Sequence, residues 1–230
     1  MPADTVDLPA DLPAPGESRP LFVDGPAGRL ETLLGAPREG APVGICVVCH
    51  PHPQFGGAMS NKVVYALASS ALQAGLLTVR FNFRGVGRSE GQYDHGRGET
   101  ADTLAVADWL RRQLPNTPLV LAGFSFGAYI SLKAAAEARP AVLLSVSIPF
   151  GGYVENAEPP PPPGCPWLAV HSTDDDVVNY EETRAALQRY TPPPQMVRFD
   201  GAGHFYHGRL TELQQAVLPF LQQHLQQLPA

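Results

Sequence analysis

The chain has 230 residues, of which 44% are hydrophobic and 17% are charged, and its formal net charge is −6. This length suffices for one domain with a sizeable hydrophobic core. Because the chain is acidic and has no long basic run, we expect no nucleic-acid partner. No apolar stretch approaches the roughly 18 residues that suggest a membrane span, so we expect no membrane partner either.

The N-terminal segment, residues 1–18, is rich in proline and acidic residues and shows no hydrophobic periodicity. This composition predicts an extended or disordered lead-in. The segment also lacks the apolar core that a secretory signal carries, which favours a cytoplasmic location. Residues 19–230 are expected to form a single domain.

Strand and helix patterns alternate along the remainder of the chain. A hairpin over 19–37 turns at 24–28, and the apolar run over 41–50 is typical of a strand buried on both faces. Further strands are predicted over 76–83, 117–123, 141–149, 166–172 and 195–200, and helices over 59–75, 98–115, 126–138, 179–190 and 208–228. The alternation predicts an α/β fold with a mostly parallel central sheet, antiparallel hairpin strands at one edge and helices on both faces.

Proline marks two places in this pattern. Pro219 lies inside the last predicted helix and should kink or interrupt it. The run AEPPPPPGCP at 157–166 predicts a semi-rigid polyproline spacer between two strands. The connection that contains this run is too short for a second folded unit, so we expect a loop there and no cap domain.

Cysteine and histidine spacings predict neither a disulfide nor a metal site. Cys46 and Cys49 lie three residues apart in a predicted strand and therefore point to opposite faces. Cys165 is a single thiol in the proline-rich loop. His50 and His52 are close in sequence, but prolines separate them and no cysteine or carboxylate accompanies them. We expect no metal and no cofactor.

The segment GFSFG at 123–127 joins a predicted buried strand directly to a predicted helix. A tight turn of this kind strains its middle residue, and glycine on both sides relieves the crowding between strand and helix. Ser125 would then lie at the carboxyl end of the sheet and at a helix N-terminus, where N–H groups favour negative charge. The pattern predicts a nucleophile elbow, although two glycines and a serine also meet at this spacing by chance.

A serine hydroxyl needs a base and an orienting acid to act as a nucleophile, and on such a sheet the acid and then the histidine follow the serine. His204 lies in a glycine-flanked loop directly after the last predicted strand and is the favoured base. His207 is the alternative base, or else it helps to line the site. His171 is interpreted as a structural residue of a strand, and His224 as a solvated residue of the last helix.

Three consecutive aspartates follow the predicted strand at 166–172. Asp175 has the spacing after the strand that is expected of the acid, with Asp174 and Asp176 as alternatives. At least two of the three are interpreted as residues of a solvated turn or as a cap for the next helix.

Two backbone N–H donors are expected to stabilise the oxyanion of such a reaction. Phe126, directly after the serine, would supply the first. The second is expected in the loop after the strand at 41–50, where Pro51 and Pro53 have no N–H. His52 is the favoured donor and Gln54 is the alternative.

The chain resembles the α/β-hydrolase superfamily in four segments, which are HPHPQFGGAMSNKVV at 50–64, RFNFRGVGRSEGQYDHGRGE at 80–99, LAGFSFGAY at 121–129 and GAGHFYHG at 201–208. Within it the chain is similar, over roughly residues 20–226, to the small, capless bacterial predicted hydrolases allied to dienelactone-hydrolase-like and cutinase-like serine esterases. The resemblance implies the α/β-hydrolase fold and a Ser-His-Asp triad of Ser125, His204 and Asp175. Dienelactone hydrolases carry a cysteine where Ser125 stands, so their activity is not implied.

These residues predict a serine hydrolase that cleaves carboxylic esters of small or short-chain acyl groups through an acyl-enzyme. Its expected partner is a small-molecule ester that enters a shallow, open site. The residues expected to line that site are Phe55, Phe124, Phe126, Tyr129 and His207. The alternative for the aromatic residues is a place in the core.

Other functions remain open at this point. A thioesterase or a lactonase would use the same residues, a peptidase would need a recognition domain or cap, and a non-catalytic binding protein would have an incomplete triad. Arg84 and Arg88 are interpreted as turn residues that pair with acids such as Glu90 or Asp94. The alternative is that these arginines bind a substrate carboxylate.

Overall fold

The computed structural model of the chain describes residues 12–151 and 159–228. Most of the predicted lead-in, residues 1–11, and the start of the predicted polyproline spacer, residues 157–158, lie outside the described part. The first strand begins at Ser18, the last residue of the predicted lead-in.

Strands and helices alternate as the sequence predicts. The strands are β1 (Ser18–Gly25), β2 (Gly28–Gly35), β3 (Gly44–Cys49), β4 (Leu76–Phe81), β5 (Leu119–Phe124), β6 (Val142–Val146), β7 (Trp167–Ser172) and β8 (Gln195–Phe199). The helices are α1 (Lys62–Gln73), α2 (Arg97–Gln113), α3 (Phe126–Ala138), α4 (Tyr180–Leu187) and α5 (Leu210–Gln226), with a 3-10 turn at Pro53–Phe55. Each predicted element is present, and only its ends differ from the prediction.

The described strands form one sheet in the order β1-β2-β4-β3-β5-β6-β7-β8. The hairpin strands β1 and β2 pair antiparallel, and β2 pairs antiparallel with β4. All neighbours from β4 to β8 pair parallel. The predicted fold class is therefore confirmed. The loops after β3, β5, β7 and β8 all leave the sheet at the same edge, where ligands bind in sheets of this kind.

The sheet separates two hydrophobic clusters, with α2, α3 and α4 on one face and α1 and α5 on the other. Strand β3 is buried on both faces, as its continuous apolar run predicts. Its Ile45 and Val47 side chains belong to one cluster, and those of Cys46 and Val48 to the other. Cys49 lies on the face opposite Cys46, and both thiols are free, as expected.

Helix α5 runs through Pro219 without a break, so the predicted interruption is absent. Proline removes the hydrogen bond to the carbonyl of Gln215, four residues earlier. Both residues lie on the exposed face of the helix, where water can bind that carbonyl. Buried Val217 and Phe220 hold the helix against the sheet on either side of the proline.

The described residues between β6 and β7 form no strand and no α-helix. They include the proline run at 159–163, which is fixed by a hydrogen bond from the Tyr190 hydroxyl to the Pro160 carbonyl at 2.9 Å. This part of the connection is a loop, as predicted. In residues 12–151 and 159–228, no helix combines the length and the hydropathy that a membrane span requires.

Candidate active site

Ser125 lies between the end of β5 and the start of α3. Its backbone has φ 54° and ψ −125°, a strained conformation for a residue with a side chain. The Ser125 N–H donates to the Val146 carbonyl at 2.8 Å, and the Ala128 N–H donates to the Ser125 carbonyl at 2.8 Å. These bonds hold the strained turn and present the serine side chain at the carboxyl end of the sheet.

The two glycines of this turn are sterically required. A Cβ on Gly123 would lie 2.2 Å from the Gly127 carbonyl oxygen, so the strand and the helix touch through bare backbone. A Cβ on Gly127 would lie 2.4 Å from the Cys49 carbonyl oxygen and 2.5 Å from that of His50. Gly127 therefore also lets the N-terminus of α3 approach the loop that follows β3.

Ser125, His204 and Asp175 lie in mutual hydrogen-bond contact although they are far apart in the chain. Ser125 Oγ is 3.1 Å from His204 Nε2, and His204 Nδ1 is 2.8 Å from Asp175 Oδ2 and 3.0 Å from Oδ1. Since an ionised carboxylate only accepts hydrogen bonds, Nδ1 carries the imidazole proton. Nε2 is then free to accept the proton of the serine hydroxyl.

The Asp175 carboxylate is fully buried and held by backbone donors. Its Oδ1 accepts hydrogen bonds from the N–H groups of Val177 and Val178, at 3.0 and 2.7 Å. Burial alone would raise the pKa of the Asp175 carboxyl, but the hydrogen bonds from His204 and from these N–H groups outweigh it and lower the pKa. The group is thus an anion that faces the imidazole.

His171 lies beneath this carboxylate, in β7. Its Nε2 donates to the Val178 carbonyl at 2.9 Å and is 3.4 Å from Asp175 Oδ2. Burial lowers the pKa of His171, so the ring is neutral at pH 7. The residue supports the turn that holds Asp175, in line with the structural interpretation.

Asp174 joins the acid loop to the histidine loop. Its Oδ1 accepts hydrogen bonds from the Ser172 hydroxyl at 2.6 Å and from the N–H groups of Ala202 and Gly203 at 3.1 and 3.3 Å. It therefore positions the loop that carries the base and does not contact the His204 imidazole. Asp176, the other alternative, lies exposed on the outer side of the turn.

His52 and Phe126, the two expected oxyanion donors, come from loops that lie side by side. Their rings are 4.8 Å apart. Phe126 is the first residue of α3, so its N–H has no acceptor within the helix. The Gln54 N–H, the alternative donor, binds the Nδ1 atom of His52 at 3.3 Å. The His52 Nε2 atom is 3.1 Å from the Tyr93 hydroxyl, which fixes the ring.

His50 anchors the same loop from inside the protein. Its Nδ1 donates to the Pro51 carbonyl at 2.6 Å, and its Nε2 accepts from the Phe83 N–H at 3.0 Å. Burial lowers the pKa of His50 to about 4, so the ring is neutral. In the described residues, no group of three or more histidine, cysteine, aspartate or glutamate side chains is arranged to hold a metal ion.

The residues expected to line the site divide into two groups. Phe55 is 85% exposed and packs on His52, with ring centroids 4.8 Å apart. His207 is exposed in the loop of the base. Phe124, Phe126 and Tyr129, by contrast, are buried in the two hydrophobic clusters. Their burial favours the alternative, a place in the core, and the Phe124 ring also contacts that of His204.

Phe205 is a residue of the site region that the sequence did not single out. It is 44% exposed, and its ring lies 5.0 Å from that of His204. Its place directly after the predicted base, in a loop that must reach over the sheet edge, was the available signal.

Arg84 and Arg88, in the segment at 80–99, have partners within the protein. Arg84 forms a buried, two-pronged ion pair with Asp102, with Nε–Oδ2 and Nη2–Oδ1 distances of 3.0 and 2.7 Å. The Arg88 guanidinium lies over the Phe22 ring, 4.8 Å from its centroid. The interpretation as a structural residue is confirmed for Arg84. Its hydrogen-bonded partner is Asp102, Asp94 adds an electrostatic attraction, and Glu90 pairs with Arg29 instead.

The chain is similar to known proteins over most of its length. The family model named X-Pro dipeptidyl-peptidase (S15 family) matches residues 24–153. The structure of XC6422 from Xanthomonas campestris, an α/β serine hydrolase without a lid, is 39% identical with a TM-score of 0.84, covering 94% of this chain and 99% of its own. An α/β serine hydrolase homologue from Coxiella burnetii is 41% identical with a TM-score of 0.80, covering 87% of this chain and 96% of its own. The protein RP471 of Rickettsia prowazekii is 32% identical over 214 residues, 87% of each chain.

Proposed function

Because the chain belongs to the family of the X-Pro dipeptidyl-peptidases (S15 family) and to the serine hydrolases of the α/β-hydrolase superfamily, we propose that it hydrolyses carboxylic esters. Ser125 is the nucleophile, His204 the base and Asp175 the acid that orients it. The observation that carries this proposal is the continuous hydrogen-bond chain from Ser125 Oγ through both nitrogens of His204 to Asp175.

In the first half of the reaction, Ser125 Oγ attacks the acyl carbon while His204 Nε2 accepts the hydroxyl proton. The buried Asp175 anion stabilises the imidazolium that forms. The same imidazolium then gives its proton to the leaving alkoxide oxygen, and the acyl group stays on the serine. In the second half, His204 takes a proton from water and the hydroxide attacks the acyl carbon. The bond from the acyl carbon to Ser125 Oγ then breaks, the His204 imidazolium returns the proton to Oγ, and the acid is released.

The backbone N–H groups of Phe126 and His52 stabilise the oxyanion of both tetrahedral intermediates. Three features support this role. Phe126 is the first residue of α3, and its ring lies next to that of His52. Gly127 also lets the start of α3 come close to the backbone of Cys49 and His50. The residues described by the structure form no folded cap over this sheet edge, which favours small or short-chain acyl groups. Thioesters and lactones fit the same machinery.

Peptide bonds are the second candidate, because the matching family is named for an X-Pro dipeptidyl-peptidase. The matched residues 24–153 include Ser125 and His52 but stop before Asp175 and His204. The family name therefore does not decide the substrate, and an X-Pro anilide belongs in the substrate panel.

The test is fluorophosphonate labelling read by intact mass, on the wild type, Ser125→Ala and His204→Ala, followed by a panel of short-chain esters, thioesters, lactones and an X-Pro anilide. We expect one adduct on the wild type, none on Ser125→Ala and much slower labelling of His204→Ala. Hydrolysis should be fastest on the esters. No adduct on the folded wild type would overturn the serine mechanism in favour of a binding protein, and faster cleavage of the anilide would replace ester by peptide.

A further inference from the structure

Exposed apolar side chains are concentrated on the loops that carry the proposed site residues. In residues 12–151 and 159–228, the large hydrophobic side chains that are exposed are Val43, Phe55, Tyr65, Val177 and Phe205. Three of these five, Phe55, Val177 and Phe205, stand on the loops after β3, β7 and β8, which also carry the proposed oxyanion donor, acid and base. Apolar side chains that stay exposed on the loops of a proposed site are candidates for contact with a substrate.

Among these residues, Phe205 is in the most defined environment. Its ring lies edge-on to the rings of His204 and Phe124, at centroid distances of 5.0 and 5.9 Å. Phe124 is fully buried and also supports His204, at 4.9 Å. The exposed part of the Phe205 ring is therefore held in a fixed place next to the base rather than swinging freely in solvent.

The proposed reaction determines which part of a substrate comes to that place. His204 must protonate the leaving oxygen, so the leaving group has to lie beside its imidazole. The oxyanion points instead to Phe126 and His52, on the side of the loop that carries Phe55. An apolar ring next to the base therefore contacts the alcohol of the ester.

We propose that Phe205 forms a wall of an apolar leaving-group subsite, and that the preferred substrates are esters of alkyl or aromatic alcohols rather than of small polar ones. The inference rests on the proposed ester hydrolysis. The bond between acyl carbon and alcohol oxygen breaks in the tetrahedral intermediate, the oxygen takes the proton from His204 Nε2, and the neutral alcohol departs across Phe205. Contact between the alcohol part of the ester and the Phe205 ring removes apolar surface of both groups from water.

The experiment compares kcat/KM for benzyl acetate and ethyl acetate, which share an acyl group and differ only in the alcohol. It uses the wild type, Phe205→Ala, Phe205→Leu and two controls. Phe55→Ala removes the exposed ring on the oxyanion side. Val43→Ala truncates an exposed side chain just before β3, at the opposite edge of the sheet.

We expect the wild type to prefer benzyl acetate. Phe205→Ala should lower the benzyl-to-ethyl ratio by about tenfold, from the apolar contact area lost, and Phe205→Leu should lower it less. Phe55→Ala and Val43→Ala should leave the ratio unchanged. If the protein hydrolyses esters but Phe205→Ala keeps the wild-type benzyl-to-ethyl ratio, the subsite proposal is overturned while the proposed function stands. The same holds if Phe55→Ala lowers the ratio as much as Phe205→Ala does. No ester hydrolysis and no phosphonate adduct on the wild type would overturn the proposed function and the subsite with it.

Discussion

His171 Nε2 lies 3.4 Å from Asp175 Oδ2, so the buried carboxylate of the proposed triad stands between two imidazoles. The two rings differ in what they can do. His204 Nδ1 donates to the carboxylate, whereas the closest acceptor of His171 Nε2 is the Val178 carbonyl at 2.9 Å. His171 therefore acts on the acid mainly through the backbone turn that holds it.

His171→Phe should loosen this turn, because the buried Val178 carbonyl loses its donor. We expect the free energy of unfolding to fall by about 1–3 kcal/mol and kcat to fall with little change in KM. His171→Gln, which offers an N–H at a similar distance from the backbone, is the matched variant and should recover part of both. Urea denaturation and ester kinetics measure the two effects. A His171→Phe protein with wild-type stability and kcat would contradict the supporting role.

The three aspartates of the acid loop should separate clearly on substitution by asparagine. Asp175→Asn gives His204 a neutral partner and the wrong tautomer, so kcat should fall by about 10³–10⁴-fold. Asp174→Asn weakens the tie to Ala202 and Gly203 and should cost about tenfold. Asp176→Asn changes an exposed side chain and should leave the rate at the wild-type level. Steady-state rates on one ester decide the order, and a larger loss at Asp174 than at Asp175 would reassign the acid.

His50 should make the protein less stable in mild acid. Its pKa is lowered from 6.5 to about 4 in the folded state, so between these values the unfolded chain binds more protons. Stability is complete above pH 6.5 and is lost as the pH falls towards 4, by on the order of 3 kcal/mol. His50→Gln, whose amide oxygen can accept the Phe83 N–H, should flatten this part of the curve. Urea denaturation between pH 4.5 and 7.5 measures it, and parallel curves for the two proteins would rule out His50 as the source.

Gly127→Ala should destabilise the protein well beyond the usual effect of a glycine substitution. The new Cβ would lie 2.4 Å from a backbone oxygen of β3, which cannot move without disturbing the central sheet. We expect a loss of about 3 kcal/mol together with loss of phosphonate labelling. Gly40→Ala is the control, since this glycine has φ +72° but no atom within 4 Å of a Cβ, and should cost about 1 kcal/mol. Because Gly127 has an ordinary helical backbone, a loss there no larger than at Gly40 would contradict the steric argument.

Local patterns in the sequence were sufficient for the fold and for the residues of the candidate triad. Ser125 directly follows β5, and Asp175 and His204 lie in the loops after β7 and β8. Parallel strands bring such loops to one edge of the sheet. The structure brings the three together, and their catalytic role stays a prediction. The sequence was insufficient where the outcome depends on distant partners. Arg84 forms its ion pair with Asp102 on α2 rather than with an acid close to it in sequence. Asp174 binds the backbone of Ala202, in the loop after β8.

The burial of Phe124 and Tyr129 was also beyond the sequence pattern. Both lie within a few residues of Ser125, yet β5 and α3 diverge from the elbow and turn these side chains into the two clusters on either side of the sheet. Phe205 shows the converse. The sequence did not single it out although it directly follows His204, because only the rings against which it packs distinguish it from an ordinary surface residue.

The bonds of Asp174 have a mechanical consequence for the protein. His204 follows β8, the outermost strand, which has a neighbour on one side only and is therefore the strand of this half of the sheet most prone to fraying. Asp174 follows β7, which has a strand on each side, and it accepts hydrogen bonds from the N–H groups of Ala202 and Gly203. These bonds do not depend on the pairing of β8. Strand β8 can therefore fray locally while the hydrogen bonds of Asp174 keep His204 close to Asp175.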